Sequence, residues 1–264
     1  MKNSRKPSRI KAQNVAKNGG RQLLARTFAG GGTVLVPLMI FTLGATCFCW
    51  LATIEAPLVY TLYQNPWVNF EQFMARSIYE GGAFGGSDVG VTLGILAYLL
   101  WLARRGANSQ KFFFTQQELK FVWMSSLFSA LIFIHSLKWI VSRVRPKLFF
   151  TETPDWTIKG LDLATLKWPG FLSFDAPRGI GWNSFPSGHA GSVAILLCYA
   201  YIFRRKNRYL GIAIGLLVFL YSSAMTVARS MGGMHWLTDG VASFFGVWVI
   251  IHIFAGRMQI NPQR

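Results

Sequence analysis

The sequence predicts an all-α, polytopic membrane protein with six transmembrane helices. Three observations carry that expectation. Of 264 residues, 52% are hydrophobic and only 14% are charged, whereas soluble domains carry about 25% charged residues. The apolar residues gather into six runs, roughly 33–54, 88–103, 121–141, 187–204, 210–228 and 236–255. Most of these runs approach the ~20 residues needed to cross ~30 Å of hydrocarbon as a helix. Basic residues also concentrate on one alternate set of connections. Six such runs leave too little polar surface for a soluble chain of one or two domains, which the length alone would allow.

Taken in order, residues 1–32 form a basic arm with eight Lys/Arg and no acid. It is expected to lie near anionic headgroups. No cleavage site at a suitable distance follows it, so the first run is expected to be retained as a span. The second run is the shortest and extends backward only through Gly85–Ser87. Between these two runs, 55–87 carries Tyr60, Tyr63, Trp67, Phe70 and three acids, Glu55, Glu71 and Glu80, before a glycine cluster. That pattern suggests an interfacial helix and a turn. The connection 147–186 is long and irregular, with four prolines and three tryptophans, and reads as an interfacial lid. The six-helix membrane domain is therefore 33–255, and 256–264 is a short tail. Cys47, Cys49 and Cys198 fall inside apolar runs, with neither zinc-ligand spacing nor a disulfide framework, and read as packing residues.

The net charge of +17 is unevenly distributed. Eighteen of the 27 basic residues lie in the arm, in 104–120, around 205–209 and in the tail. With six spans these segments share one side, which the positive-inside rule makes cytoplasmic. Both termini are then cytoplasmic, and 55–87, 142–186 and 229–235 face outward. A one-sided distribution of this kind argues for a membrane surface and against nucleic acid as the partner.

Ionisable residues at the ends of apolar runs are costly and mark function. Three clusters qualify, and all three fall on the outward side. In "KWIVSRVRP" (138–146), Lys138 and Arg145 are seven apart, which places both on one face of a helix that Pro146 would end; Arg143 reads as a cation reaching for the interface. In "PSGH" (186–189), Ser187 suits a helix start, Gly188 allows a ligand close to the backbone, and His189 occupies the first turn. In "ARSMGGMHWLTDG" (228–240), Arg229 ends the fifth run, while His235 and Asp239 are spaced i, i+4 so that the carboxylate can reach the imidazole. Three cations, two histidines, one carboxylate and a helix N-terminus suit a phosphate dianion. His135 and His252 lie within runs and read as packed or hydrogen-bonded residues.

The pattern Lys138-x6-Arg145-Pro146, Pro186-Ser187-Gly188-His189 and Arg229-x5-His235-x3-Asp239 resembles the three-part signature of the type 2 phosphatidic acid phosphatase family, in order and in spacing. Ala228 departs from the serine usual before the third-part arginine, removing one hydroxyl from the phosphate site. The resemblance implies a phosphatase or pyrophosphatase that needs neither metal nor cofactor and acts through a phosphohistidine. It implies His235 as nucleophile, Asp239 as its orienting carboxylate and His189 as general acid and then base. Lys138, Arg145, Ser187, Gly188 and Arg229 would hold the phosphate. The implied substrate is a membrane lipid phosphate: a polyprenyl pyrophosphate, phosphatidylglycerol phosphate, phosphatidic acid or a lipid A phosphate. A lipid phosphotransferase using the same phosphohistidine is the alternative. A bacterial inner membrane with a periplasmic site is the location that the resemblance suggests.

Overall fold

The computed structural model describes residues 35–64, 68–74, 89–105, 113–141, 143–152 and 183–260. The basic arm, the glycine cluster and most of the long outer connection lie outside these residues. The chain divides into units Met1–Met39 and Ile40–Arg264. In the first unit, Leu35–Met39 begin an apolar helix, α1 (Leu35–Ala52). The remainder of α1 and all the following elements belong to the second unit.

Regular structure among the described residues is helical. After α1 come α2 (Glu55–Gln64), α3 (Val68–Glu71), α4 (Val89–Ala103) and α5 (Gln116–Leu127). A π-helical stretch, Phe128–His135, joins α5 to α6 (Ser136–Ile140). Then follow α7 (Pro146–Glu152), α8 (Gly188–Ile195), α9 (Leu197–Lys206), α10 (Arg208–Met231) and α11 (Leu237–Arg257).

Among the described residues, four helices are long and apolar enough to cross a membrane: α1, the continuous rod Gln116–Ile140, α10 and α11. The other two expected spans differ from the reading as single long helices. The run 88–103 is α4, with 15 residues, which rises only about 22 Å. The run 187–204 is split into α8 and α9 at Leu196, whose N–H bonds back three residues to the Val193 carbonyl at 3.0 Å. Large apolar side chains on the helix faces stay exposed: Leu131 at 60%, Leu217 at 65% and Leu99 at 54%. Exposure on that scale suits a hydrocarbon surround.

Local chemistry explains where helices begin. Thr115 caps α5 with a reciprocal box: its hydroxyl accepts from the Glu118 N–H at 3.1 Å, and its own N–H donates to Glu118 Oε2 at 2.7 Å. The Asn207 side chain accepts from the N–H groups of Tyr209 and Leu210 and starts α10. Cations close the loops at this end. Arg104 is buried and donates to the Phe114 carbonyl. Lys206 lies over the Phe113 ring at 4.3 Å while donating to the Phe113 carbonyl at 2.9 Å.

The main core joins α5, the π stretch and α8–α11 through Phe121, Ile134, Val193, Ile202, Met225 and Ile251. A second cluster, Ala56, Val59, Phe150, Trp236 and Leu237, packs α2 and α7 against the start of α11. This smaller cluster supports the candidate site. The cysteines do not share one environment: Cys198 is buried, whereas Cys49 is exposed. His252 bonds the Tyr201 hydroxyl at 2.8 Å. His135 is exposed, so of the two readings, packed or hydrogen-bonded, it is not packed.

Candidate active site

Helical geometry stops before the first cluster is complete. The helix carrying Lys138 ends at Ile140, and Val141 is extended. Lys138 and Arg145 therefore do not share one helical face, as their spacing suggests. Arg145 lies on an extended strap, and Pro146 opens α7 instead of ending a helix. Proline suits that first position because its missing N–H would have had no helical partner.

Cross-bonds hold the strap to the other two clusters. The Ser184 N–H donates to the Arg143 carbonyl at 3.0 Å, and Arg145 donates to Asn183 Oδ1 at 2.8 Å. The Trp236 indole donates to the Val144 carbonyl at 2.8 Å, and the Lys147 N–H donates to the Gly233 carbonyl at 2.9 Å. Gly233 turns the chain with φ +64, where a Cβ would stand 2.8 Å from the Lys147 Cβ. Both the left-handed backbone and the lack of space call for glycine there.

The second cluster meets the first through Lys138. Ser187 caps α8, accepting from the Ala190 N–H at 3.4 Å. Gly188 is the first residue of α8, and a Cβ added there would be 3.7 Å from Lys138 Nζ. His189 follows, partly buried, with its ring centroid 6.5 Å from that of His235. The charges of Arg229, Lys138 and Arg145 all bear on it. The structure thus brings together Lys138, Arg145, Ser187, Gly188, His189, Arg229, His235 and Asp239.

The third cluster sits on the turn between α10 and α11. The Arg229 carbonyl accepts from the N–H groups of Met234 and His235 at 3.0 and 3.4 Å. His235 is 2% exposed, and its Nδ1 lies 2.6 Å from the Ser184 carbonyl. A carbonyl can only accept, so Nδ1 carries the proton and Nε2 keeps its lone pair. Burial above all, with Lys138 and Arg229 beside it, lowers the imidazole pKa to about 4 against the opposing pull of Asp239. The ring is therefore neutral at neutral pH.

Asp239 stands further from that ring than the i, i+4 spacing alone implies. Its Oδ2 is 3.5 Å from Nδ1. It accepts from the Ser184 hydroxyl at 2.5 Å and from the Trp236 N–H at 2.9 Å, and its Oδ1 accepts from Arg143 at 2.6 Å. Asp239 thus holds the residue whose carbonyl holds the imidazole, besides facing the ring itself.

Arg143 overturns its assignment as an interfacial cation. It is 3% exposed and forked between two carboxylates, Asp239 and Glu55, the latter at 2.5 Å. These two partners raise its pKa despite the burial that opposes them. Its guanidinium also lies 5.2 Å from the centre of the Trp236 ring. Glu55, read from the sequence as an acid of an outer segment, is 1% exposed and accepts from the Thr238 N–H and hydroxyl. Sequence reasoning missed Glu55, Arg143, Asn183, Ser184 and Thr238. The available signals were a glutamate directly after an apolar run and a third cation inside the Lys138–Arg145 segment.

Apolar helices long enough to cross a membrane, with two histidines facing each other near Lys138, Arg145 and Arg229 at the helix ends, define the class as an integral-membrane protein. Residues 120–261 match the family model described as PAP2 superfamily, and the chain belongs to that superfamily. Its fold is similar to that of a transmembrane PAP2-type phosphatidylglycerolphosphate phosphatase from Bacillus subtilis. That likeness has a TM-score of 0.50 and 15% identity, over 84% of this chain and 96% of that one. No curated protein matches the chain.

Proposed function

We propose that this protein is an integral-membrane lipid phosphatase that removes phosphate from a lipid phosphomonoester or pyrophosphate through a phosphohistidine on His235. The observation that carries this reading is the buried, neutral His235, bonded through Nδ1 to Ser184 and facing His189 among three cations. Its Nε2 lone pair attacks phosphorus in line while the bond to the leaving oxygen breaks. With the negative charge of the bound phosphate beside it, His189 takes up a proton and gives it to that oxygen, then takes a proton from the water that attacks the phosphohistidine, returning the electron pair to Nε2. Lys138, Arg145 and Arg229, with Ser187 and the Gly188 N–H, stabilise the equatorial oxygens. In this mechanism they supply the positive charge that a metal ion supplies in many phosphoryl-transfer enzymes.

A lipid substrate fits the surroundings. The site crowns apolar helices, and an open apolar cavity of about 230 Å³ lies beside the first turn of α11, walled by Leu51, Phe219, Leu237 and Phe244. Two of its hydroxyl neighbours are turned to internal acceptors: Ser222 donates to the Ala190 carbonyl and Thr226 to the Ser222 carbonyl. Such an apolar surface suits part of an acyl or prenyl chain. In the same proposal the protein belongs to a bacterial inner membrane, with six spans and a periplasmic site, on the one-sided charge of the sequence and the family resemblance.

The test is phosphate release by the purified full chain from polyprenyl pyrophosphate, phosphatidylglycerol phosphate, phosphatidic acid and lipid A, with and without EDTA. Release from at least one lipid, undiminished by EDTA, is expected. Loss in EDTA would overturn the metal-free mechanism, and release that requires an acceptor lipid would favour a phosphotransferase.

A further inference from the structure

Arg143 is one cation held by two carboxylates, and all three groups are buried behind His235. A buried ion pair is costly to desolvate and often contributes little stability compared with apolar residues of similar size. Its retention directly behind the candidate nucleophile needs another reason. The charge balance supplies one. Asp239 paired with Arg143 alone would be electrically neutral, so little negative potential would reach the imidazole. Glu55 takes the other end of the guanidinium and leaves one negative charge in excess. That excess opposes the positive charge that appears on the ring when Nε2 bonds to phosphorus while Nδ1 keeps its proton.

Geometry links Glu55 to the same ring. Its Oε1 accepts from Arg143, and its Oε2 accepts from the Thr238 hydroxyl at 2.7 Å and the Thr238 N–H at 3.1 Å, one residue before Asp239. Arg143 in turn donates to both Thr238 and Asp239, at 2.7 and 2.6 Å. Glu55 begins α2, outside the residues matched by the family model.

We propose that Glu55 and Arg143 are positioning residues for phosphoryl transfer: Arg143 fixes the Asp239 carboxylate, and Glu55 restores the negative charge that Arg143 would otherwise cancel. This rests on the reading of His235 as nucleophile. Neither residue touches the phosphate, so their loss should change kcat and spare KM.

The experiment compares wild type, His235→Ala, Glu55→Gln and the double variant Glu55→Gln/Arg143→Gln, as purified full chains on a lipid that wild type hydrolyses. Melting and gel filtration are recorded for each. Glu55→Gln removes the excess charge and is expected to lose at least about tenfold in kcat with KM within about twofold. The double variant regains one net negative charge on Asp239. Its kcat is expected to be at least about threefold above that of Glu55→Gln, a non-additive recovery.

A merely structural pair predicts the reverse order, because the double variant loses more contacts. A double variant no faster than Glu55→Gln, or a folded Glu55→Gln with wild-type kcat, overturns the proposal. Should Glu55→Gln fail to fold, the double variant is judged alone, and a kcat below about 1% of wild type overturns it. A wild type that depends on His235 and is indifferent to Glu55 sinks only this inference. A wild type whose turnover survives His235→Ala sinks the reading beneath it as well.

Discussion

His235 and His189 differ in what they can do because their surroundings differ. His235 is locked through Nδ1 onto a backbone carbonyl, which leaves one nitrogen with one available role. His235→Ala is expected to abolish phosphate release while expression and melting hold. His189→Ala is expected to be nearly inactive and to accumulate phosphoenzyme, detectable by acid-labile phosphate on the protein; wild-type turnover in either variant would remove the role assigned to that histidine. The lowered pKa of His235 makes a second, signed prediction. Between its ordinary value of 6.5 and about 4, the unfolded chain binds a proton that the native chain does not. Its contribution therefore favours the fold fully above about pH 6.5 and fades as pH falls. Wild type should lose melting temperature more steeply than His235→Gln from about pH 7 to about pH 5. Parallel slopes would show that burial does not hold the ring neutral.

At the scale of elements, the site depends on where helices stop. The rod Gln116–Ile140 ends before Arg145, α10 ends at Met231, and α8 begins at Gly188. The side chains of the candidate site sit at these ends, where backbone groups and polar side chains can meet without breaking a helix inside hydrocarbon. The turn at Gly233 is the joint between α10 and α11. Gly233→Ala would force a left-handed alanine against Lys147 and Tyr63. It is expected to destabilise the protein by about 1–3 kcal/mol and to reduce activity by moving Met234–His235. Denaturant melting and turnover of that single variant check both effects, and wild-type values in both would show that the turn relaxes freely.

At the scale of the molecule, charge and apolar length together predict an orientation for the chain. The α9–α10 junction carries Arg204, Arg205, Lys206 and Arg208, while His189 lies at the start of α8, which leads into α9, and His235 lies just past the far end of α10. Lys147 and Arg205 are both exposed and mark the two ends. In a cysteine-free background, Lys147→Cys is expected to react with a membrane-impermeant maleimide from the periplasmic side, and Arg205→Cys only after the membrane is opened. The opposite pattern would place the site in the cytoplasm.

The sequence by itself determined the membrane class, the apolar runs and the three motifs, because each is written in a local pattern of hydropathy or spacing. It could not show that the Lys138 helix stops at Ile140, since nothing in "KWIVSRVRP" before Pro146 announces an end. It also could not distinguish an arginine reaching for the interface from one buried against two carboxylates. Residue type and position are the same in both cases, and only the arrival of Glu55 from 88 residues away supplies the charge that makes burial tolerable. The tertiary structure decided which acids share a cation and which carbonyl holds His235, because those partners meet in space and not along the chain.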